Sequence, residues 1–220
     1  MGRFSVLRIA SLISGSCRRV FGVRFDTSAI QNIDSLADFI QTRSAYVAQT
    51  SLYGYLKTRM GTRFREVFDD DKFLPSINKA KWRTYGACLS DLTVFAAAIT
   101  GSENRLSDIE VSDLAHRCFS ASVQQTFNDA EAADVRAEVV DSFNARIKQT
   151  LWPNAAIGEN AFTSSPMVLL ESAPIADEFK AQDAEIVTNS IRFRWRDIRE
   201  QLRKRIDCDA ICAEWQAVER

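Results

Sequence analysis

Between Pro75 and Gly101 the chain carries Ile77, Trp82, Tyr85, Leu89, Leu92, Val94, Phe95 and Ile99 at helical spacing, the longest apolar pattern in its 220 residues. Proline is tolerated in a helix's first turn, where its missing N–H would have no partner, and glycine is a natural stop, so both ends are punctuated. Beyond Ala87 the apolar residues run round most of the helical circumference, a pattern that only a helix covered on several sides can satisfy. A helix of this kind cannot be a surface element. It demands a shell of further elements around it, and 46% hydrophobic with 26% charged residues is enough material for one substantial core.

The shell also reads as helical. Leu36, Phe39, Ile40 and Val47 follow Asp34-Ser35 at helical spacing, and Leu52, Tyr53, Leu56 and Met60 continue to Gly61; the two sets point in different directions, which predicts a bend or interruption between them. An aromatic connector with Phe64, Val67 and Phe68 precedes the long helix. Ser107 and Glu110 form a capping box with Leu106 and Val111 as a staple, launching Val111, Leu114, Ala115, Cys118 and Ser122 on one face. Asn128 with Glu131 repeats the signal ahead of Val135, Val139, Phe143 and Ile147, a stripe expected to end at Trp152-Pro153. Residues 154–164 read as a loop, Ser165-Pro166 restarts a short helix that breaks near Pro174, and a last long helix runs to Ile206. Although IRFRWR alternates like a strand, the flanking Val187 and Ile206 fit the helical period. The prediction is an all-α, single-domain, bundle-like array of about six or seven helices over residues 28–220, preceded by a basic amphipathic segment, 1–27.

That head carries Arg3, Arg8, Arg18, Arg19 and Arg24 with no acid before Asp26. Arg8 interrupts the apolar stretch a secretory signal needs, Cys17 lacks a lipobox, and Val6 stands where a myristoylation signal has Ser or Thr. Wound as a helix, residues 4–21 put Val6, Ile9, Ile13 and Val20 on one face, opposite Arg8, Arg18 and Arg19. Such a head suits an anionic membrane surface or an organelle transit peptide, with a plain solvated extension as the default. Nothing in the chain is apolar for long enough to span a bilayer.

The last long helix carries the most directed surface pattern. Val187, Ile191, Trp195, Ile198, Leu202 and Ile206 form a seam, and Arg192, Arg196, Arg199 and Arg203 occupy an adjacent arc roughly 60° wide. Four forked donors beside an apolar seam suit contact with carboxylates or phosphates, either on an acidic protein partner or on acids of the same chain such as Asp69 to Asp71. Nucleic acid is a poor fit, because the net charge of the whole chain is −1.

Catalytic signals are thin. The one histidine, His116, meets no G-x-S-x-G elbow, and Ser76 with Lys79 forms an S-x-x-K match lacking companion motifs in a chain of 20 serines. Cys208 and Cys212 share a helical face but lack a second pair for a structural zinc, and Asp69, Asp70 and Asp71 splay around a helix. Glycine-rich phosphate loops are missing, so neither cofactor nor metal is expected. The five cysteines are odd in number and scattered, as suits reduced thiols.

The segments YVAQTSLYGYLKTRMGTRF, KAKWRTYGACLSDLTVFA and RFRWRDIREQLRKRID carry a resemblance to a family of small, helical, largely uncharacterised bacterial proteins, extending over residues 40–206. Some members carry the name esterase. The resemblance implies a helical fold in a bacterial cytoplasm, and it transfers no catalytic apparatus. The expected function is therefore a non-catalytic interaction or assembly protein, cytoplasmic, with a head suited to the inner membrane surface. The alternative is a serine hydrolase of small esters, using Ser76 and Lys79 or a serine near His116.

Overall fold

A computed structural model of the chain describes residues 27–103, 105–128, 130–158 and 160–218. The basic head, with Arg8, Arg18 and Arg19, lies outside them. Among the described residues eight α-helices and one 3-10 helix follow in order: α1 (Ile33–Met60), the 3-10 helix (Gly61–Asp69), α2 (Leu74–Thr100), α3 (Asp108–Thr126), α4 (Ala130–Ile147), α5 (Trp152–Ile157), α6 (Ser164–Ser172), α7 (Asp177–Arg205) and α8 (Cys208–Val218).

Helix α2 is the axis of a single all-α domain. Every residue from Thr84 to Ala98 is buried, and α1, α3, α4, α5, α6 and α8 all pack on it. Its end at Gly101 has a physical cause different from the usual left-handed cap. The backbone there stays helical (φ −81°), but a Cβ would lie 2.2 Å from Val111 Cγ2. Glycine is required because the start of α3, held by the Ser107–Glu110 capping box, comes too close for any side chain.

Helix α1 starts at an Asn32–Ser35 capping box and gains a second cap from a distance, since Glu214 of α8 accepts the Ile33 N–H at 2.7 Å. The expected interruption is not present. Ser44, Ala48 and Ser51 are buried between the two large apolar sets, so both belong to one continuous stripe that small residues complete.

Two helices were not anticipated. Trp152-Pro153 begins α5 instead of closing α4, because proline's fixed φ and missing N–H suit the first turn of a helix. Helix α8 is separate from α7 because Ile206 turns extended and bridges Ile30: the Ile30 N–H donates to the Arg205 carbonyl at 2.8 Å, and the Asp207 N–H to the Ile30 carbonyl at 2.9 Å. Asp207 then caps α8 through the Ala210 N–H, at 3.0 Å.

One charged group sits in the middle of the buried run. Asp91 is fully buried, and both its oxygens are occupied: Oδ1 accepts from Arg146 at 2.6 Å and from the Ser164 N–H at 3.2 Å, Oδ2 from the Ser165 N–H at 2.8 Å. A carboxylate on α2 thereby caps the start of α6, whose own N-cap, Thr163, makes no side-chain bond. Arg146 also donates to Ser90, Ser164 and the Ala161 carbonyl. The Ser165 hydroxyl accepts the Trp195 indole N–H at 2.9 Å, which ties α7 to the same cluster.

Candidate functional site

Helix α7 lies antiparallel along α1, joined through Arg43 to Gln201 at one end and Arg59 to Asp183 at the other. Four sectors divide its circumference. Val187, Ile191, Trp195, Ile198 and Leu202 face the core as the sequence pattern requires. At 100° per residue, the arginine arc, an exposed apolar row and a groove against α1 follow round the remainder.

The arginine arc divides in function. Arg199 and Arg203 lie over an aromatic block in which Phe162 packs against Phe95 and Trp195 at centroid distances of 5.2 and 4.7 Å. Their guanidiniums stand 5.7 Å from the Phe162 ring and 5.5 Å from the Phe95 ring. Arg203 also donates to the Ile157 carbonyl at 3.2 Å, serving the C-terminus of α5. Gly158 follows at φ +114°, where a Cβ would meet Arg199 at 2.8 Å. Arg192 and Arg196 face outward; Arg196 stacks on exposed Phe193 at 4.3 Å and, among the described residues, has Asp197, 3.7 Å away, as its acid partner.

The exposed row is Phe179, Ile186 and Phe193, seven residues apart and 41%, 72% and 58% exposed. Residues at that spacing stand on one side of a helix, so three large apolar groups align on the outer side of a helix that already has a buried seam, Phe179 partly covered by the Arg59 guanidinium at 5.0 Å. The heptad spacing of this row is visible in the sequence beside the apolar seam and the arginine arc.

Beyond the row, α1 and α7 part to form a groove of about 450 Å³ floored by Leu169. Thr50, Ser51, Gly54, Tyr55 and Thr58 line it from α1, and Ile186, Val187, Ser190, Ile191 and Arg194 from α7. Arg59 and Asp183 close one end as a forked ion pair, in which the guanidinium holds the Asp183 carboxyl below the usual carboxylate range. Burial first, and then the neighbouring Asp183, push the Tyr55 hydroxyl up to about 12. The signal for this groove in the sequence is the set of small residues at 50, 51, 54 and 58, which recurs at helical spacing.

The catalytic candidates do not assemble. Ser76 and Lys79 are exposed in the first turns of α2, while half-buried His116 packs edge-on against Phe143 at 5.4 Å, on the contact between α3 and α4. No hydrogen bond or ion pair joins any two of the three among the described residues. Asp70 and Asp71 lie exposed in the turn before α2, with the Asp70 carboxylate accepting the Lys72 N–H at 2.9 Å. The thiols of Cys208 and Cys212 point at the carbonyls of Ile99 and Thr100 at the end of α2. Burial raises both, away from reactive thiolate character. No helix among the described residues is long and apolar enough to cross a membrane.

No protein-family model, curated protein or solved structure matches the chain.

Proposed function

We propose that the protein is a non-catalytic interaction or assembly factor that receives an acidic amphipathic helix of a partner protein on the outer face of α7. The observation that carries this reading is the row Phe179, Ile186 and Phe193, bordered by Arg192 and Arg196. Apolar groups held in line in water gain by being covered, and outward guanidiniums select a covering surface that carries carboxylates. A partner helix with apolar residues every seven positions and acids along one flank meets both demands. In this reading the protein works in the cytoplasm, and its basic head meets the inner membrane surface through Arg8, Arg18 and Arg19.

The test starts from a partner recovered from the native host at low salt. Replacing Arg192 and Arg196 by Gln is expected to leave the melting temperature nearly unchanged, weaken the complex and flatten its dependence on salt. Retention of the partner at native levels by a normally folded double variant removes the reading. Turnover of short-chain nitrophenyl esters, with fluorophosphonate labelling of Ser76, would put the hydrolase alternative in its place.

A further inference from the structure

The groove between α1 and α7 carries a separate signal. Its walls are mixed by design of position: Leu169, Val187 and Ile191 are apolar and buried, yet two buried polar atoms beside them make no hydrogen bond, the Ser51 hydroxyl and Arg194 Nε. Ser51 is 7% exposed. Native proteins pair nearly all such atoms, and those left over call for an explanation in what they meet. Both are able to donate, whereas the Tyr55 hydroxyl in the same lining is engaged by Asp183.

The charges in the groove narrow the choice of ligand. Arg59 is already committed to Asp183 through both arms of its fork. Among the described residues Arg194 is left as the single uncommitted guanidinium in the lining, one positive charge beside the Ser51 hydroxyl. That set matches a monoanionic, planar, two-oxygen head; a phosphate dianion would require a second free cation. The apolar wall calls for a hydrocarbon body, and a volume of about 450 Å³ falls within the ordinary range of small-molecule sites. Gly54 in the middle of the α1 lining keeps the groove open. A Cβ there would meet nothing within 4 Å, so packing does not require glycine at this helical position, where alanine would be the better helix former.

We propose that this groove binds an amphipathic carboxylate, with the head on Arg194 and Ser51 and an alkyl or aryl body along Leu169, Val187 and Ile191. The inference does not rest on the outer face of α7, which the groove meets at Ile186 and through Arg59 stacked on Phe179.

Isothermal titration calorimetry of the full chain with decanoate tests it, with decanol, decyl phosphate and a short peptide ending in a leucine carboxylate as comparison ligands. Saturable one-to-one binding of decanoate is expected. Decanol should bind about tenfold or more weakly, since it lacks the charge. Arg194→Met keeps the stem of the side chain and should lose about the same factor. Gly54→Phe fills the groove from an unobstructed position and should abolish binding with no fall in melting temperature. Should that variant melt early, Ser51→Val in the wild-type groove takes its place, with the loss confined to carboxylate ligands. Absence of decanoate binding, equal affinity for decanol, or decanoate affinity unchanged in the Arg194 and groove-filling variants overturns the proposal. Tighter binding of decyl phosphate overturns the head-group assignment, and binding of the peptide without decanoate overturns the small-molecule source.

Discussion

Asp91 shows how one residue can carry several helices. Its carboxylate holds Arg146 of α4 and two N–H groups of α6, and the serine beside those groups holds Trp195 of α7. Removing one member of a buried pair strands the other, so Asp91→Ala is expected to cost about 3–5 kcal/mol, read as a lower denaturation midpoint at unchanged slope. A loss below about 1 kcal/mol would mean that Arg146 finds water when its partner goes. Tyr55 offers a second residue-scale test, through pH. Its hydroxyl is raised from 10.0 to about 12 in the fold, so it contributes stability that is complete below pH 10 and is lost as pH climbs towards 12. Ultraviolet titration should show one late tyrosinate transition, absent in Tyr55→Phe, whose stability should decline less over that interval. A Tyr55→Phe variant that keeps the late transition would assign it to another tyrosine.

At the scale of elements, α7 performs two tasks with one residue type. Arg199 and Arg203 roof the Phe95–Phe162–Trp195 block, whereas Arg192 and Arg196 stand in solvent. Changing Arg199 and Arg203 together to Gln should lower stability by about 1–3 kcal/mol, because partly desolvated cation–π contacts and a cap are lost at once. The equivalent change at 192 and 196 should cost under about 1 kcal/mol. Equal losses measured by chemical denaturation would refute the division. The helices themselves were legible because the Ser107–Glu110 box, the start at Pro75 and the Val135–Ile147 stripe depend on contacts within a few residues. The division of the arginine arc was not legible, since it depends on where Phe162 and Gly158, some forty residues away in sequence, come to rest. The same holds for the bridge of Ile30 to Ile206, which splits α8 from α7 through a long-range partner. Asp91 did leave a sign: it is the one charge between Thr84 and Ala98, and a lone carboxylate in a mostly apolar stretch implies a buried cation elsewhere. The groove left a fainter one, small residues at 50, 51, 54 and 58, which the same spacing would display on any close helix contact.

For the molecule as a whole, the link between the start of α1 and the C-terminal helices has a consequence for chain order. Ile30 is bonded to the backbone on both sides of Ile206, Arg205 donates to the Ser28 carbonyl at 2.8 Å, and Glu214 closes the first turn of α1. Among the described residues these contacts bring the start of α1 onto the ends of α7 and α8, so the helices close on one another. Joining Thr27 to Val218 by a short flexible linker and opening the chain at the exposed turn near Glu103, where the backbone already takes a positive φ of 60°, should give a circular permutant with the same helical circular dichroism and a single unfolding transition. A permutant that fails to fold would show that α1 and α2 must be made before the remaining helices for the bundle to close. One that folds would show that this bundle is a property of which helices touch, with the order of their synthesis free to vary.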